Sequence, residues 1–89
     1  MRTEFIKILK DKLRFLAIDT RERLGLTQKK MGLLLQMSES SYSDIETGRT
    51  MCSALTTVLL LELQDDPRKV LHEIKEEFVK WYESEMRTA

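Results

Sequence analysis

Glycine and proline are scarce in this chain, and their positions divide it into helical segments. Three glycines and one proline occur among 89 residues, and none of them lies between Thr3 and Arg23. Within that first segment, apolar residues recur at steps of three and four, which is typical of one face of an α-helix. The pattern predicts a first helix from Thr3 to about Arg23, ended by Gly25 in a left-handed C-cap.

Residues that favour the N-cap of a helix precede each of the later apolar segments. Thr27, Ser38, Ser53 and Asp66 have side chains that can accept a hydrogen bond from a free backbone N–H, and Pro67 suits the first helical position. Helices are therefore expected over residues 27 to 34 or 35, 38–45 (closed by Gly48), 53 to about 63 and 67 to about 87. No stretch alternates with the period of a β-strand, so the sequence predicts an all-α fold of five helices.

The length and the cysteine content limit the class of protein. A chain of 89 residues is expected to form one domain, here residues 1–89, with a modest core. Cys52 is the only cysteine, so no intrachain disulfide is possible, and a cytoplasmic protein is the simplest interpretation. The longest apolar run, residues 58–61, is far too short to span a membrane. Charged residues near the N-terminus (Arg2, Glu4 and Lys7) lie where a signal peptide would have its apolar core.

The charges are distributed unevenly although the formal net charge is zero. Residues 1–30 contain nine basic and four acidic side chains, whereas residues 31–66 contain one basic and six acidic ones. Residues 67–89 contain five of each. A basic face that could meet a polyanion must therefore come largely from the N-terminal third. A solvated surface with uneven charge and no such partner is the alternative.

Residues 26–48, LTQKKMGLLLQMSESSYSDIETG, place a short apolar helix before a second helix rich in small polar side chains. Two short helices joined by a tight turn form a helix-turn-helix unit, in which the second helix lies in the major groove of DNA. The inner face of that helix is expected to carry Tyr42 and Ile45. Its outer face is expected to carry Glu39, Ser40, Ser43 and Asp44.

The region from about Ala17 to Leu63 resembles the phage-repressor and Cro-like helix-turn-helix proteins, also called the XRE family. The resemblance rests on GLTQ at 25–28, MG at 31–32, MS at 37–38, YS at 42–43 and IETGR at 45–49. It implies a five-helix repressor-like domain, with a core at about 17–63 and extended first and last helices. It also implies that the buried positions are Met31, Leu35, Met37, Tyr42 and Ile45.

The resemblance assigns structural roles to three further residues. Gly32 stands where the family uses Ala or Gly, because a larger side chain would push the second helix of the unit away. Arg21 and Glu46 match a pair that forms a partly buried ion pair between the first and third helices. Such a pair fixes geometry more surely than it adds stability. Two unrelated surface charges are the alternative for Arg21 and Glu46.

The resemblance also implies which residues contact DNA. The expected phosphate contacts are Gln28, Ser43, Thr47 and Arg49. The expected base-reading residues are Glu39, Ser40 and Asp44. Phosphate contacts would set the register, and base contacts would set the sequence. Because a carboxylate can accept a hydrogen bond from cytosine N4, the two acidic residues either specify sites that contain cytosine or weaken DNA binding altogether.

Three residues depart from the family pattern. Gln36 stands where the family usually has Gly in the turn, and a left-handed backbone there is strained by about 1 kcal/mol, so a reshaped turn is expected. Leu33 and Leu34 occupy positions where the family often has exposed polar residues. Either a long terminal helix of the same chain covers these leucines, or a partner subunit does.

The flanking helices are longer than the family requires and offer a surface for dimerisation. The candidate interface residues are Ile8, Phe15, Phe78, Trp81 and Tyr82. Packing of these side chains within the monomer is the alternative. Since repressors of this kind bind paired half-sites as twofold dimers, we expect a homodimer that binds a palindromic operator in double-stranded DNA and controls transcription, as a repressor. The competing hypothesis is a protein-interaction module, such as an antitoxin that binds a protein partner and binds DNA weakly or not at all.

The sequence shows no set of residues suited to catalysis or to an ordinary zinc site. His72 and Cys52 are the only imidazole and thiol ligands, which is too few for an ordinary zinc site. No glycine-rich phosphate loop and no nucleophile with a plausible orienting partner occurs. The sequence therefore predicts a protein that is not an enzyme and needs no cofactor.

Overall fold

The computed structural model describes residues 2–88, and these residues form five α-helices and no strand. The helices are α1 (Arg2–Leu24), α2 (Gln28–Leu34), α3 (Glu39–Glu46), α4 (Ala54–Glu62) and α5 (Pro67–Thr88). The predicted all-α fold is confirmed, and every expected boundary lies within about one residue of the observed one. Among the described residues, no helix is both long enough and apolar enough to cross a bilayer.

Local capping interactions explain why the helices begin and end where they do. The side chains of Thr27, Ser38 and Ser53 each accept a hydrogen bond from the backbone N–H three residues later. Each such cap stabilises its helix by about 1 kcal/mol. Gly25 and Gly48 have φ angles of 68° and 80°, which glycine adopts without the clash that a Cβ would cause. These residues end α1 and α3.

The hydrophobic core lies between the C-terminal half of α1 and helices α2, α3 and α4. Its fully buried members are Ala17, Met31, Leu35, Tyr42, Ile45 and Leu60. Met37 is half-buried against this core. The hydroxyl of Tyr42 donates a hydrogen bond to the carbonyl oxygen of Ala17 at 3.2 Å, so its polar end is satisfied although the side chain is buried. The core therefore joins the helix-turn-helix unit to α1.

A second contact joins the N-terminal half of α1 to α5, away from this core. The ring centroid of Phe5 lies 5.6 Å from that of Phe78 and 5.8 Å from that of Trp81, which are ordinary distances for aromatic pairs. Lys12 Nζ and Glu73 Oε2 form an ion pair at 2.6 Å across the same two helices. Among the residues of α5, Val70 is the one that is buried.

The turn between α2 and α3 keeps its left-handed residue. Gln36 has a φ of 61°, so the expectation of a reshaped turn was wrong. Hydrogen bonds hold the turn from both sides, since Gln36 N donates to Leu33 O at 3.1 Å and Met37 N donates to Gly32 O at 2.8 Å. These hydrogen bonds and the adjoining core stabilise the left-handed conformation of Gln36, which is unfavourable for any residue with a Cβ.

Leu33 and Leu34 are exposed on the outer side of α2. Their side chains are 69% and 43% accessible, respectively. The alternative in which a long helix of the same chain covers them was therefore wrong, because α1 packs with α3, α4 and α5, and α5 packs with α1 and α4. The two leucines form an apolar surface beside the helix-turn-helix turn.

Candidate nucleic-acid interface

Gly32 allows the backbone of α2 to approach the start of α3. A Cβ at this position would lie 3.0 Å from Met37 O and 3.1 Å from Ser38 O, which is closer than such atoms normally come. Both neighbours are backbone atoms just before the N-terminus of α3, and they cannot rotate away as a side chain would. The absence of a side chain at Gly32 therefore sets how close the two helices of the unit lie.

The structure brings together Arg21 and Glu46, which link α1 to the C-terminal end of α3. Arg21 Nε donates to Glu46 Oε2 at 2.6 Å, and Arg21 Nη2 donates to Glu46 Oε1 at 3.1 Å. This two-point geometry holds a carboxylate more firmly than a single contact would. Arg21 Nη1 also donates to Leu26 O at 3.2 Å, so one guanidinium fixes α3 and the loop that precedes α2.

The surroundings of Glu46 keep its carboxylate ionised. Burial raises the pKa of this carboxyl group, but hydrogen bonds from Arg21 and Gln28 lower it more strongly, and the pKa lies below its ordinary value. The same hydrogen bond to Glu46 raises the pKa of Arg21. Both partners therefore remain charged, and the orientation of α3 relative to α1 is fixed by a charge-assisted contact.

The outer side of α3 carries the polar residues expected to read bases. Glu39 and Ser40 occupy the first turn and are exposed, whereas Asp44 lies one turn later and is half-buried. Arg49 Nη1 lies 3.8 Å from Asp44 Oδ1. The positive charge of Arg49 therefore offsets one of the two carboxylates that would otherwise face a polyanion.

The residues expected to contact phosphates lie at the ends of α2 and α3. Thr47 and Arg49 follow the last turn of α3 and are exposed, and Ser43 is half-buried within that helix. The Thr47 hydroxyl donates to Asp44 O at 3.3 Å. Gln28 begins α2, but its side-chain Nε2 donates to Glu46 Oε1 at 3.1 Å. The Gln28 side chain is thus already bonded to the network that orients α3.

Comparison with known proteins bears on this arrangement. The family model described as a helix-turn-helix domain matches residues 19–65, which include α2, α3, α4 and the C-terminal end of α1. The chain belongs to the helix-turn-helix family. No curated protein and no solved structure gave a match.

Helix-turn-helix domains present the second helix of the unit to DNA, and in this chain that helix is α3. Its inward side is buried through Tyr42 and Ile45, and its outward side begins with Glu39 and Ser40. The match ends before α5 and begins within α1. The N-terminal part of α1 and the whole of α5 are therefore additions of this chain to the matched region.

The structure divides the candidate dimer residues between separate places. The ring centroid of Phe78 lies 6.0 Å from that of Trp81 and 6.1 Å from that of Tyr82. Ile8 lines a shallow cleft beside Trp81, whereas Phe15 lines another cleft with Val70 and Glu73. The indole N–H of Trp81 is buried and has no acceptor among the described residues. Phe78 and Tyr82 remain about half exposed.

The sequence analysis did not predict that Arg14, a residue of α1, contacts the C-terminal end of α3. Arg14 Nε donates to Glu46 O at 2.6 Å, which satisfies a carbonyl oxygen in the last turn of that helix. Arg14 lies seven residues before Arg21, so both side chains leave the same face of α1. That spacing was the available signal. Among the described residues, no group of acidic, histidine and cysteine side chains is arranged to hold a metal ion.

Proposed function

We propose that the protein is a transcriptional regulator of the XRE type that binds a palindromic operator as a homodimer and represses transcription. The observation that carries this proposal is the fixed orientation of α3, whose polar outer side is exposed at Glu39 and Ser40. Gly32 sets the distance of α3 from α2, and the Arg21–Glu46 pair sets its position against α1. A rigid helix with an exposed polar first turn suits direct contact with base edges.

In this proposal, Glu39, Ser40 and Asp44 read bases and Ser43, Thr47, Arg49 and the N-terminus of α2 contact phosphates. Glu39 accepts a hydrogen bond from cytosine N4, which is the base group that a carboxylate recognises. Arg49, 3.8 Å from Asp44, reduces the repulsion between α3 and the phosphates. Gln28 supports the site through Glu46 and offers its backbone N–H to a phosphate at the start of α2.

A selection experiment tests base reading. The wild-type protein is expected to enrich duplexes with cytosine at one fixed position from a random pool, and Glu39→Gln is expected to change the preferred base at that position. Glu62→Gln on α4 removes the same charge from an exposed site away from α3 and serves as the control. An unchanged preference in Glu39→Gln, or no enrichment by the wild type, would contradict the proposed role.

Dimerisation follows from the need to contact two half-sites. The third helices of two subunits should lie roughly 34 Å apart, one turn of DNA. We propose that the half-exposed Phe78 and Tyr82, with Trp81 behind them, form the interface, and that Ile8 and Phe15 extend it. Such a face on a helix is apolar enough to associate with a second copy of itself.

Sedimentation tests this interface. Tyr82→Ser combined with Phe78→Ser is expected to give a monomer that binds operator DNA more weakly than the wild type, because the two half-sites would no longer be bound together. Leu55→Ser, at a similarly exposed position on α4, should leave the dimer intact. A wild-type monomer at high concentration without DNA would refute the interface.

A second candidate function is that of a protein-interaction module. Two features favour it: the exposed Leu33 and Leu34 on α2 and the acidic Glu39 on α3. Exposed leucines can pack against an apolar surface of another protein, whereas contact with DNA phosphates does not require them. The two functions differ in salt dependence. If the protein does not associate with mixed-sequence DNA even at low salt, where phosphate contacts are strongest, then protein interaction becomes the better assignment.

A further inference from the structure

The N-terminal half of α1 carries basic residues along one face. Lys7, Lys10 and Arg14 are spaced by three and four residues, so at about 100° per residue they fall within an arc of roughly 60°. We call these three residues the basic stripe. Lys7 is exposed, and Lys10 and Arg14 are half-buried. Lys7 and Lys10 lie outside the matched helix-turn-helix region, so the family assigns them no role.

Arg14 connects the basic stripe to the end of α3. Its Nε donates to Glu46 O at 2.6 Å, and its Cδ lies 3.7 Å from the point where a Cβ on Gly48 would stand. The stripe therefore starts beside the loop that carries Arg49. Lys10 and Lys7 follow at about 6 Å and 10 Å along the axis of α1, because each residue advances the helix by about 1.5 Å.

The two lysines, Lys7 and Lys10, have no ion-pair partner among the described residues. Asp11, four residues after Lys7 on α1, forms no ion pair with it. Like charges spaced three and four residues apart destabilise a helix. A polyanion beside the stripe would remove this repulsion.

We propose that Lys7 and Lys10 bind the sugar-phosphate backbone of duplex DNA, next to the phosphates contacted at the end of α3. The proposal rests on the proposed function, since it requires α3 to bind DNA. Two lysines on a long helix contact phosphates without reading bases, and they lengthen the bound stretch of backbone beyond that reached by the helix-turn-helix unit. Each contact releases about 0.9 of a counterion, so binding becomes steeper in salt.

The test compares Lys7→Gln/Lys10→Gln with the wild type on sheared duplex DNA of mixed sequence. Glutamine retains the helix propensity and most of the length of lysine. The slope of the logarithm of the association constant against the logarithm of the salt concentration should become shallower in the variant by about two units for each bound subunit, or about four for a dimer. Circular dichroism and thermal unfolding should be unchanged or slightly improved, since the repulsion within α1 is relieved.

The control is Lys75→Gln/Lys80→Gln, which removes the same charge from two exposed positions on α5. This variant should keep the wild-type slope. An equal loss of slope in both variants would show a general effect of net charge and overturn the proposal. A wild-type slope in Lys7→Gln/Lys10→Gln, alongside a reduced slope in Arg49→Ala, would also overturn it while leaving the proposed function intact. Absence of wild-type binding at low salt would reject both.

Discussion

Replacing Arg21 with Ala should destabilise the fold by about 3 kcal/mol, because it leaves the Glu46 carboxylate buried without its cation. Arg21 supplies two of the three side-chain hydrogen bonds seen at that carboxylate, and the bond from Gln28 would remain. The Glu46 side chain is 8% exposed, so water can replace little of what is lost. Removing one partner of a fully buried pair costs about 3–5 kcal/mol, and the 22% exposure of Arg21 places the expectation at the low end.

The double variant Arg21→Ala/Glu46→Gln should be more stable than Arg21→Ala alone by about 1–2 kcal/mol, because an unpaired neutral amide costs less to bury than an unpaired carboxylate. Urea denaturation followed by circular dichroism near neutral pH measures all four members of the cycle. Arg23→Ala is the control on the same helix, since Arg23 makes exposed contacts, an ion pair with Asp65 and a hydrogen bond to Leu63 O. Their loss should cost about 1 kcal/mol. Additive effects of the two changes, or equal effects of Arg21→Ala and Arg23→Ala, would refute the reasoning.

The pH dependence provides an independent check on the same pair. The pKa of Glu46 is lower in the folded protein than its ordinary value of 4.5, so the unfolded chain takes up a proton first as the pH falls. The stabilisation by the pair is therefore complete above about pH 4.5 and decreases as the pH drops through the lowered pKa. In Arg21→Ala, burial is no longer opposed by the guanidinium, and the pKa of Glu46 should rise. The difference in unfolding free energy between wild type and variant should then shrink in acid.

Three other substitutions test the turn, the helix contact and the phosphate contact. Gln36→Gly should stabilise the fold by about 0.5–1 kcal/mol in urea denaturation. Glycine removes the strain that a side chain causes at a φ of 61°, and this gain outweighs the added freedom of the unfolded chain. No change would mean that the turn carries little strain. Gly32→Val should reduce the free energy of unfolding by about 1–3 kcal/mol in urea denaturation, because the new Cβ would lie 3.0 and 3.1 Å from two backbone oxygens. Wild-type stability would show that α2 and α3 can separate freely. Arg49→Ala should weaken binding to all DNA sequences alike and reduce the salt slope by roughly one unit for each bound subunit. An effect confined to one operator would mean that Arg49 reads bases.

The sequence by itself determined the helices, because the signals that start and end a helix act over three or four residues. Thr27 and Ser38 can reach the backbone N–H groups that they cap whatever the rest of the chain does. Gly25 and Gly48 likewise end their helices through their own backbone freedom. The same short-range logic predicted which residues of α3 face the core, since Tyr42 and Ile45 are three positions apart.

The tertiary structure alone decided which distant side chains meet. The bond between Gln28 and Glu46 joins residues 18 positions apart, and that from Arg14 to the carbonyl of Glu46 spans 32 positions. A periodic pattern can place a side chain on a face of its helix but cannot give its distant partner, because that depends on how α1 and α2 pack against α3. The exposure of Leu33 and Leu34 also depends on the tertiary structure, because the sequence shows that they are apolar but not whether another helix covers them. Their exposure follows from the packing of α5 against α1 and α4, and local sequence does not encode where a long helix comes to rest.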